Sequence, residues 1–189
     1  FVVDYHRLRQ LFLHFMRIAI TNPTNWPQVR RGTERFINDL ARYLGASGHD
    51  VTIVSAHPGR PTQRTEQGYT VAMKRRLWLP WMARHGVLEF HAFFLTALAE
   101  LLRHRYDVVL CCTFTDAYAA TLARRVTGTP CVFWVNGLPT PITYVRARSM
   151  KGAFFRRAVQ GADEVVALSG YMQAYLKEHF GRAGTTIPV

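Results

Sequence analysis

From Arg17 onward, short runs rich in β-branched and aromatic residues alternate with stretches whose apolar residues recur at helical spacing. This alternation limits the chain more than any other feature. Consecutive strands separated by helices run parallel, because a parallel pair needs a long crossover, and parallel sheets are stable when helices cover both faces. The expected fold is therefore α/β: a Rossmann-like open, mainly parallel sheet with helices on both faces. Strands are expected at Arg17–Thr21, Asp50–Ser55, Tyr69–Met73, Asp107–Cys112, Cys131–Val135 and Glu164–Leu168. Helices are expected over Thr33–Leu44, Gly86–Arg105, Asp116–Val126, Met150–Gln160 and Ser169–Phe180. In the first helix Phe36, Ile37, Leu40, Ala41 and Leu44 share one face, and Gly45 and Gly48 help to end it. Thr115 or Asp116 is placed to cap the third helix and Ser169 the last. Residues 57–68 and 74–85 read as loops.

At 189 residues the chain has the length of one ordinary domain, and no linker, repeat or low-complexity tract divides it. Residues 16–189 form that domain in this reading. Tyr5, Leu8, Phe12 and Phe15 have helical spacing, so residues 1–15 read as an amphipathic extension. They read equally as an upstream or foreign segment, because Met16-Arg17-Ile18 resembles a natural chain start. No apolar run has the length of a membrane span, and the first residues lack the pattern of a signal peptide. Three cysteines, two of them adjacent at Cys111 and Cys112, form neither a metal spacing nor a disulfide framework. They suit reduced core positions and a cytoplasmic location.

The net charge is +12, and all but three of the 24 cations are arginine. Such an excess is compatible with a polyanionic partner: nucleic acid, an anionic membrane or a phosphorylated substrate. Arginines scattered over solvated faces account for it equally well. No nucleic-acid-binding motif or basic recognition helix accompanies the charge, which argues against nucleic acid. The stretch Lys74–His85 (KRRLWLPWMARH) concentrates Arg75 and Arg76 beside Trp78 and Trp81. This composition suits an anionic membrane surface or an acceptor at one, with peripheral attachment, while tryptophans packed beneath the loop would explain it without a membrane.

In open sheets ligands sit beyond the carboxyl ends of the strands. The first strand-to-helix loop, Asn22–Gly32, is long and ends on a glycine at a helix start. Glycine admits close approach to the backbone, and the helix terminus favours an anion. Arg30 and Arg31 add phosphate-binding guanidiniums, while Glu34 already complements the helix dipole. Gly32, Arg31 and Arg30 are thus candidate substrate-binding residues. The loop is neither a dinucleotide fingerprint nor a P-loop. The eight histidines, His85, His91 and His104 among them, lack the carboxylates or cysteines of a metal site. His49 suits local packing or capping. Asp116 and Asp163 suit a cap and a turn better than an acid–base pair, so neither a metal nor a cofactor is expected.

Taken in order, MRIAITNP, RGTERFINDLARYLGASGHDVTIVS, YDVVLCC, TGTPCVFWVNG and GADEVVALSGYM resemble the N-terminal domain of family 4 glycosyltransferases, over residues 16–189. The resemblance implies one half of a two-domain GT-B fold. It also implies a retaining, metal-independent transfer from a nucleotide-diphospho-sugar donor, with this domain mainly holding an unidentified acceptor. The donor would be shared with a C-terminal domain, without which the chain would be inactive. The family's Gly-Gly turn matches Arg31-Gly32, so one glycine is kept. Where many relatives place a histidine near the reacting sugar, this chain has Asn136-Gly137. Asn136 can position a substrate but cannot act as a general base near neutral pH. Asn136 and Gly137 complete the implied site, although Asn-Gly also favours a tight turn. The alternative outside enzymology is a non-catalytic basic module that binds nucleic acid or anionic lipid.

Overall fold

The computed structural model describes residues 15–57, 59–75, 91–137 and 150–187. Its elements are β1 (Arg17–Thr21), α1 (Gly32–Ala46), β2 (Asp50–His57), β3 (Thr62–Glu66), β4 (Tyr69–Arg75), α2 (Phe93–Arg103), β5 (Val108–Cys111), α3 (Phe114–Thr127), β6 (Cys131–Val135), α4 (Met150–Gly161), β7 (Glu164–Ala167), α5 (Gly170–Phe180) and β8 (Thr185–Thr186). One eight-stranded sheet has the order β3-β4-β2-β1-β5-β6-β7-β8. Every neighbouring pair is parallel except β3 with β4. The expected Rossmann-like α/β sheet with two covered faces is the observed one.

Strand alternation sorts the core into two sides. Ile18 and Ile20 of β1, Val51 and Ile53 of β2 and Val71 of β4 pack with Ile37 and Ala41 of α1. Ala19, Val109, Cys111, Phe133 and Val165 point the other way, into a cluster with α3, α4 and α5. Phe93 and Ala97 of α2 cover Val54 and Ala56 on that same side. The three cysteines are free and buried, as expected of core residues.

Four local expectations change. The 57–68 segment contains strand β3, an antiparallel edge closed by the turn at Gly68, whose φ is +86°. Lys74 and Arg75 belong to β4 rather than to a loop, and Lys74 Nζ pairs with the buried Glu100 at 2.9 Å. The N-cap of α3 is Thr113, not Thr115 or Asp116, because Phe114 and Thr115 are already helical. Gly45 does not end α1 but lies within it: a Cβ there would fall 1.9 Å from the Gly68 carbonyl oxygen, so glycine permits the helix to touch the β3–β4 turn. Gly48, at φ +91°, is the residue that turns the chain out of the helix.

Candidate functional site

The strand order reverses at β1: the chain moves outward through β2 to β4, then returns to β5 and continues through β6 and β7. A crevice at the carboxyl end of such a switch point is where open α/β sheets take ligands. The segments leaving β1, β5 and β6 converge there.

Helix starts at this end differ in how their orphan N–H groups are satisfied. At α3, the Thr113 N–H donates to Asp116 Oδ1 at 2.9 Å within a capping box. At α5, Ser169 Oγ accepts from the Met172 N–H at 3.2 Å, so Ser169 is the expected cap. The α1 N-cap, Arg31, is extended and its side chain makes no cap hydrogen bond. Glu34, in the first turn of α1, does not fold back either. It is buried and accepts from Thr24 Oγ1 at 2.6 Å. Among the helix starts that follow β1, β5 and β7, only that of α1 lacks a side-chain cap, and Glu34 stands in its first turn as the complement to the dipole.

Gly32 is the first residue of α1. Its φ is not positive, and a Cβ added to it would meet no atom within 4 Å. Neither the backbone nor a neighbour requires glycine here, so what the missing side chain leaves is open space at a helix N-terminus. Arg31 is exposed beside it, and the Arg30 guanidinium lies 5.8 Å from the Trp26 ring centre.

Asn136, at the end of β6, reaches the same point. Its Nδ2 donates to Thr33 Oγ1 at 3.2 Å and to the Cys112 carbonyl at 3.2 Å, joining the ends of β6 and β5 to the first turn of α1. Sequence-distant candidates Gly32, Arg31 and Asn136 are thereby brought together, with Gly137 next along the chain. Neither Asn136 nor Gly137 has positive φ, so the pair is not the left-handed tight turn that Asn-Gly suggests. The amide bridges elements instead.

Beneath the crevice lie two polar networks that the sequence did not signal. Asp116 is fully buried. Its carboxylate accepts from Thr21 Oγ1 at 2.7 Å and the Cys112 N–H at 3.1 Å, tying β1, β5 and α3 together. Burial lifts its pKa to about 6, even though these bonds and those from Thr113 pull the other way. The second network holds the 22–31 loop: Tyr69 OH donates to Asn38 Oδ1 at 2.8 Å, and Asn38 Nδ2 donates to Asn25 Oδ1 at 3.2 Å. Arg64 adds a 2.7 Å bond to the Trp26 carbonyl from the edge strand. Polar residues in helix and strand patterns carry no mark of such pairing until the fold is known.

The other candidates fall elsewhere. Arg75 ends β4 and is exposed, whereas Arg76, Trp78 and Trp81 lie outside the described residues, as do His85 and residues 1–14. Asp163 accepts from the Cys131 N–H at 2.9 Å and pairs with Arg124, which fits the turn role expected of it. His91 packs 5.6 Å from the Phe114 ring, and burial, followed by the charge of Lys151, lowers its pKa to about 4. Among the described residues no group of His, Cys, Asp or Glu side chains could hold a metal, and no helix is long and apolar enough to cross a membrane.

A Rossmann-like sheet with this crevice is the architecture of one half of a GT-B glycosyltransferase. Residues 30–189 match Glycosyltransferase Family 4, and the chain belongs to that family. No curated protein sequence matches it. Sucrose-phosphate synthase from Thermosynechococcus elongatus is similar in structure, with a TM-score of 0.66 at 16% identity over 92% of this chain and 47% of that one. The Anabaena HepE protein, solved with UDP and glucose, gives 0.58 at 14% identity, covering 92% and 44% of the respective chains. A trehalose-6-phosphate structure from E. coli, bound with UDP-2-fluoro glucose, gives 0.59 at 12% identity, covering 91% and 48%. The chain thus spans about half the length of these solved structures.

Proposed function

We propose that this glycosyltransferase domain, residues 16–189, is the acceptor-side half of an enzyme that transfers a sugar from a nucleotide-diphospho-sugar with retention of configuration. The observation that carries the reading is the uncapped start of α1, where Gly32 leaves open space beside Arg31 and Asn136 arrives from β6. A diphosphate suits that place. Helix N–H groups and the helix dipole act on an anion without a charged partner having to move, and an arginine beside them adds bidentate bonds.

In this reading Gly32, Arg31 and Arg30 face the donor phosphates, and Arg31 supplies charge where relatives keep a second glycine. Asn136 holds the first turn of α1 and orients the sugar end; an amide carries no proton near neutral pH, so it is a positioning residue. The similar structures solved with UDP and with UDP-2-fluoro glucose support a nucleotide-sugar donor. The remaining donor contacts belong to a second domain, and the 189-residue chain alone is inactive.

The test compares the isolated chain with the complete gene product in a transfer assay using labelled UDP-sugars and mixed acceptors. Turnover in the complete product that disappears in the isolated chain and falls at least tenfold in Arg31→Ala supports the reading. Robust transfer by the isolated chain, or no nucleotide-sugar consumption by the complete product, refutes it.

A further inference from the structure

Helix α3 leaves the carboxyl end of β5, and α4 leads into the amino end of β7, so the C-terminal halves of both helices lie at the end of the sheet opposite the crevice. Between them Tyr118, Arg124 and Arg125 of α3 and Arg157 and Gly161 of α4 line a pocket of about 550 Å³. That volume falls within the roughly 300–1,000 Å³ of small-molecule sites.

The pocket is built on fixed parts. A Cβ on Gly161 would come 3.0 Å from Thr121 Cβ and Cγ2, so glycine lets the end of α4 close on α3 here. Thr121 is held in turn, because its Oγ1 donates to the Tyr118 carbonyl at 2.8 Å. Arg157 is laid along the wall: its Nη1 donates to Tyr118 OH at 3.0 Å, and its guanidinium lies 5.6 Å from the centre of that ring. Tyr118 keeps its own hydroxyl proton for a further acceptor. Arg125 is exposed and forms no ion pair among the described residues.

Basic residues in the last turn of a helix ordinarily answer the partial charge of its free carbonyls, about half an elementary charge per helix. Other groups meet that demand here. At the end of α3 the Gly128 N–H donates to the Arg124 carbonyl at 2.8 Å. At the end of α4 Arg182 donates to the Val159 carbonyl at 3.0 Å and to the Asp163 carbonyl at 2.7 Å. Arg124 is paired with Asp163 at 2.6 Å, and no carboxylate lines the pocket itself. Arg125 and Arg157 remain as two uncompensated charges beside a hydroxyl donor on one concave surface. Their complement is an anion of two charges with several acceptor oxygens. A phosphate monoester carries about −1.5 to −2 near neutral pH, and guanidinium groups bind its oxygens bidentately. A single carboxylate or a phosphodiester carries one charge and leaves a guanidinium unanswered. We propose that this pocket binds a small phosphate monoester, with its organic part in the remaining volume. The site stands apart from the crevice, so the proposal does not rest on the transferase reading.

The experiment titrates the isotope-labelled 189-residue chain, followed by NMR, with glycerol 3-phosphate, glucose 6-phosphate, glucose, succinate and phosphatidylglycerol vesicles. At least one phosphate ester should shift the amides of Tyr118, Thr121 and Gly161, and glucose should not. Arg125→Gln removes no hydrogen bond or ion pair among the described residues, so its melting temperature should match the parent's while affinity for that ester falls about three- to tenfold. Arg157→Lys keeps the charge but loses the planar fork, and should weaken the same ester. Arg60→Gln removes the same charge from an exposed position between β2 and β3, at the far edge of the sheet, and should leave affinity unchanged. No shift at the three amides with either ester, equal weakening by Arg60→Gln and Arg125→Gln, or tighter binding of succinate or of the vesicles overturns the proposal. Shifts confined to the amides around Gly32 would assign phosphate binding to the crevice and overturn it too.

Discussion

Gly32→Ala separates a glycine kept for the fold from one kept for a ligand, and Gly45 in the same helix supplies the contrast. At Gly32 the added methyl meets nothing within 4 Å and φ is unstrained. Alanine at a compatible helical position is favoured over glycine by roughly 0.4–1 kcal/mol, part of it through the unfolded chain. For a domain of this size that corresponds to a melting temperature higher by about 1–4 °C. At Gly45 the same methyl would stand 1.9 Å from the Gly68 carbonyl oxygen, so backbone must move, at a cost of about 1–3 kcal/mol or more. Circular-dichroism melts of the two variants should therefore shift in opposite directions. In the complete gene product, Gly32→Ala should raise the KM for the nucleotide sugar about tenfold, equivalent to about 1.4 kcal/mol of lost binding. A lower melting temperature in Gly32→Ala would show that the glycine is structural. A higher one with unchanged KM and kcat would show that the open space at α1 is not where the donor lies.

Asn136→Ala should lower kcat/KM in the complete gene product by about ten- to a hundredfold and change the melting temperature little, because the side chain is exposed and its two bonds are long; a large loss of stability would make it a structural bridge instead. Asp116→Asn should cost about 2–4 kcal/mol in denaturant unfolding, since an NH2 would face donors now served by a carboxylate. The pH dependence has a defined sign: the folded pKa of Asp116 is raised to about 6 from 3.8, so the native state holds the proton more tightly and its contribution falls as pH rises through that window, by about 3 kcal/mol in total. The stability gap between wild type and Asp116→Asn should therefore narrow from pH 4 to pH 7. His91 acts oppositely: its pKa is lowered to about 4 from 6.5, so its contribution is lost as pH falls through that range, and His91→Gln should flatten the acid limb of the wild-type profile. Arg182→Ala should destabilise by about 1–3 kcal/mol, because its guanidinium donates to the Val159 carbonyl at 3.0 Å and the Asp163 carbonyl at 2.7 Å, where α4 leaves acceptors unpaired.

The elements legible in the sequence are those whose apolar residues face a core. β1, β2, β4, β5, β6 and β7 all alternate between two covered faces, and α1 has one apolar stripe, so period alone located them. β3 escaped because Thr62–Glu66 is polar and exposed on nearly every position; it is an edge strand held by its ladder to β4, and ladder bonds leave no trace in side-chain pattern. Gly45 was misread for a related reason: a glycine near a helix end suggests a terminus, and only the approach of Gly68 reveals the packing role. The site divides in the same way. A glycine at a helix start and two arginines are local and were readable. The bridge from Asn136 to Thr33 spans 103 positions and appears only when β6 is placed two strands from β1. Asn25, Asn38 and Tyr69 each look like ordinary polar or strand residues, and their relay depends on which strand lies under which loop.

The charge, too, takes on meaning once residues are placed. Internal pairing with acids leaves the net charge of +12 unchanged, but it decides which cations stand free. Arg17 pairs with Asp107, Arg35 and Arg42 share Asp39, Arg64 pairs with Glu66, Arg124 pairs with Asp163, and Arg182 closes α4. Exposed pairs of this kind add little stability, but they cancel field where they stand. Arg31 forms no ion pair among the described residues and is exposed at the one uncapped helix start that follows β1, β5 or β7. A pocket under the same loop has no cation in its lining. The 22–31 loop thus borders two different surfaces: an uncapped helix start with an unpaired arginine at Arg31-Gly32, and a small pocket without a cation beside Asn25.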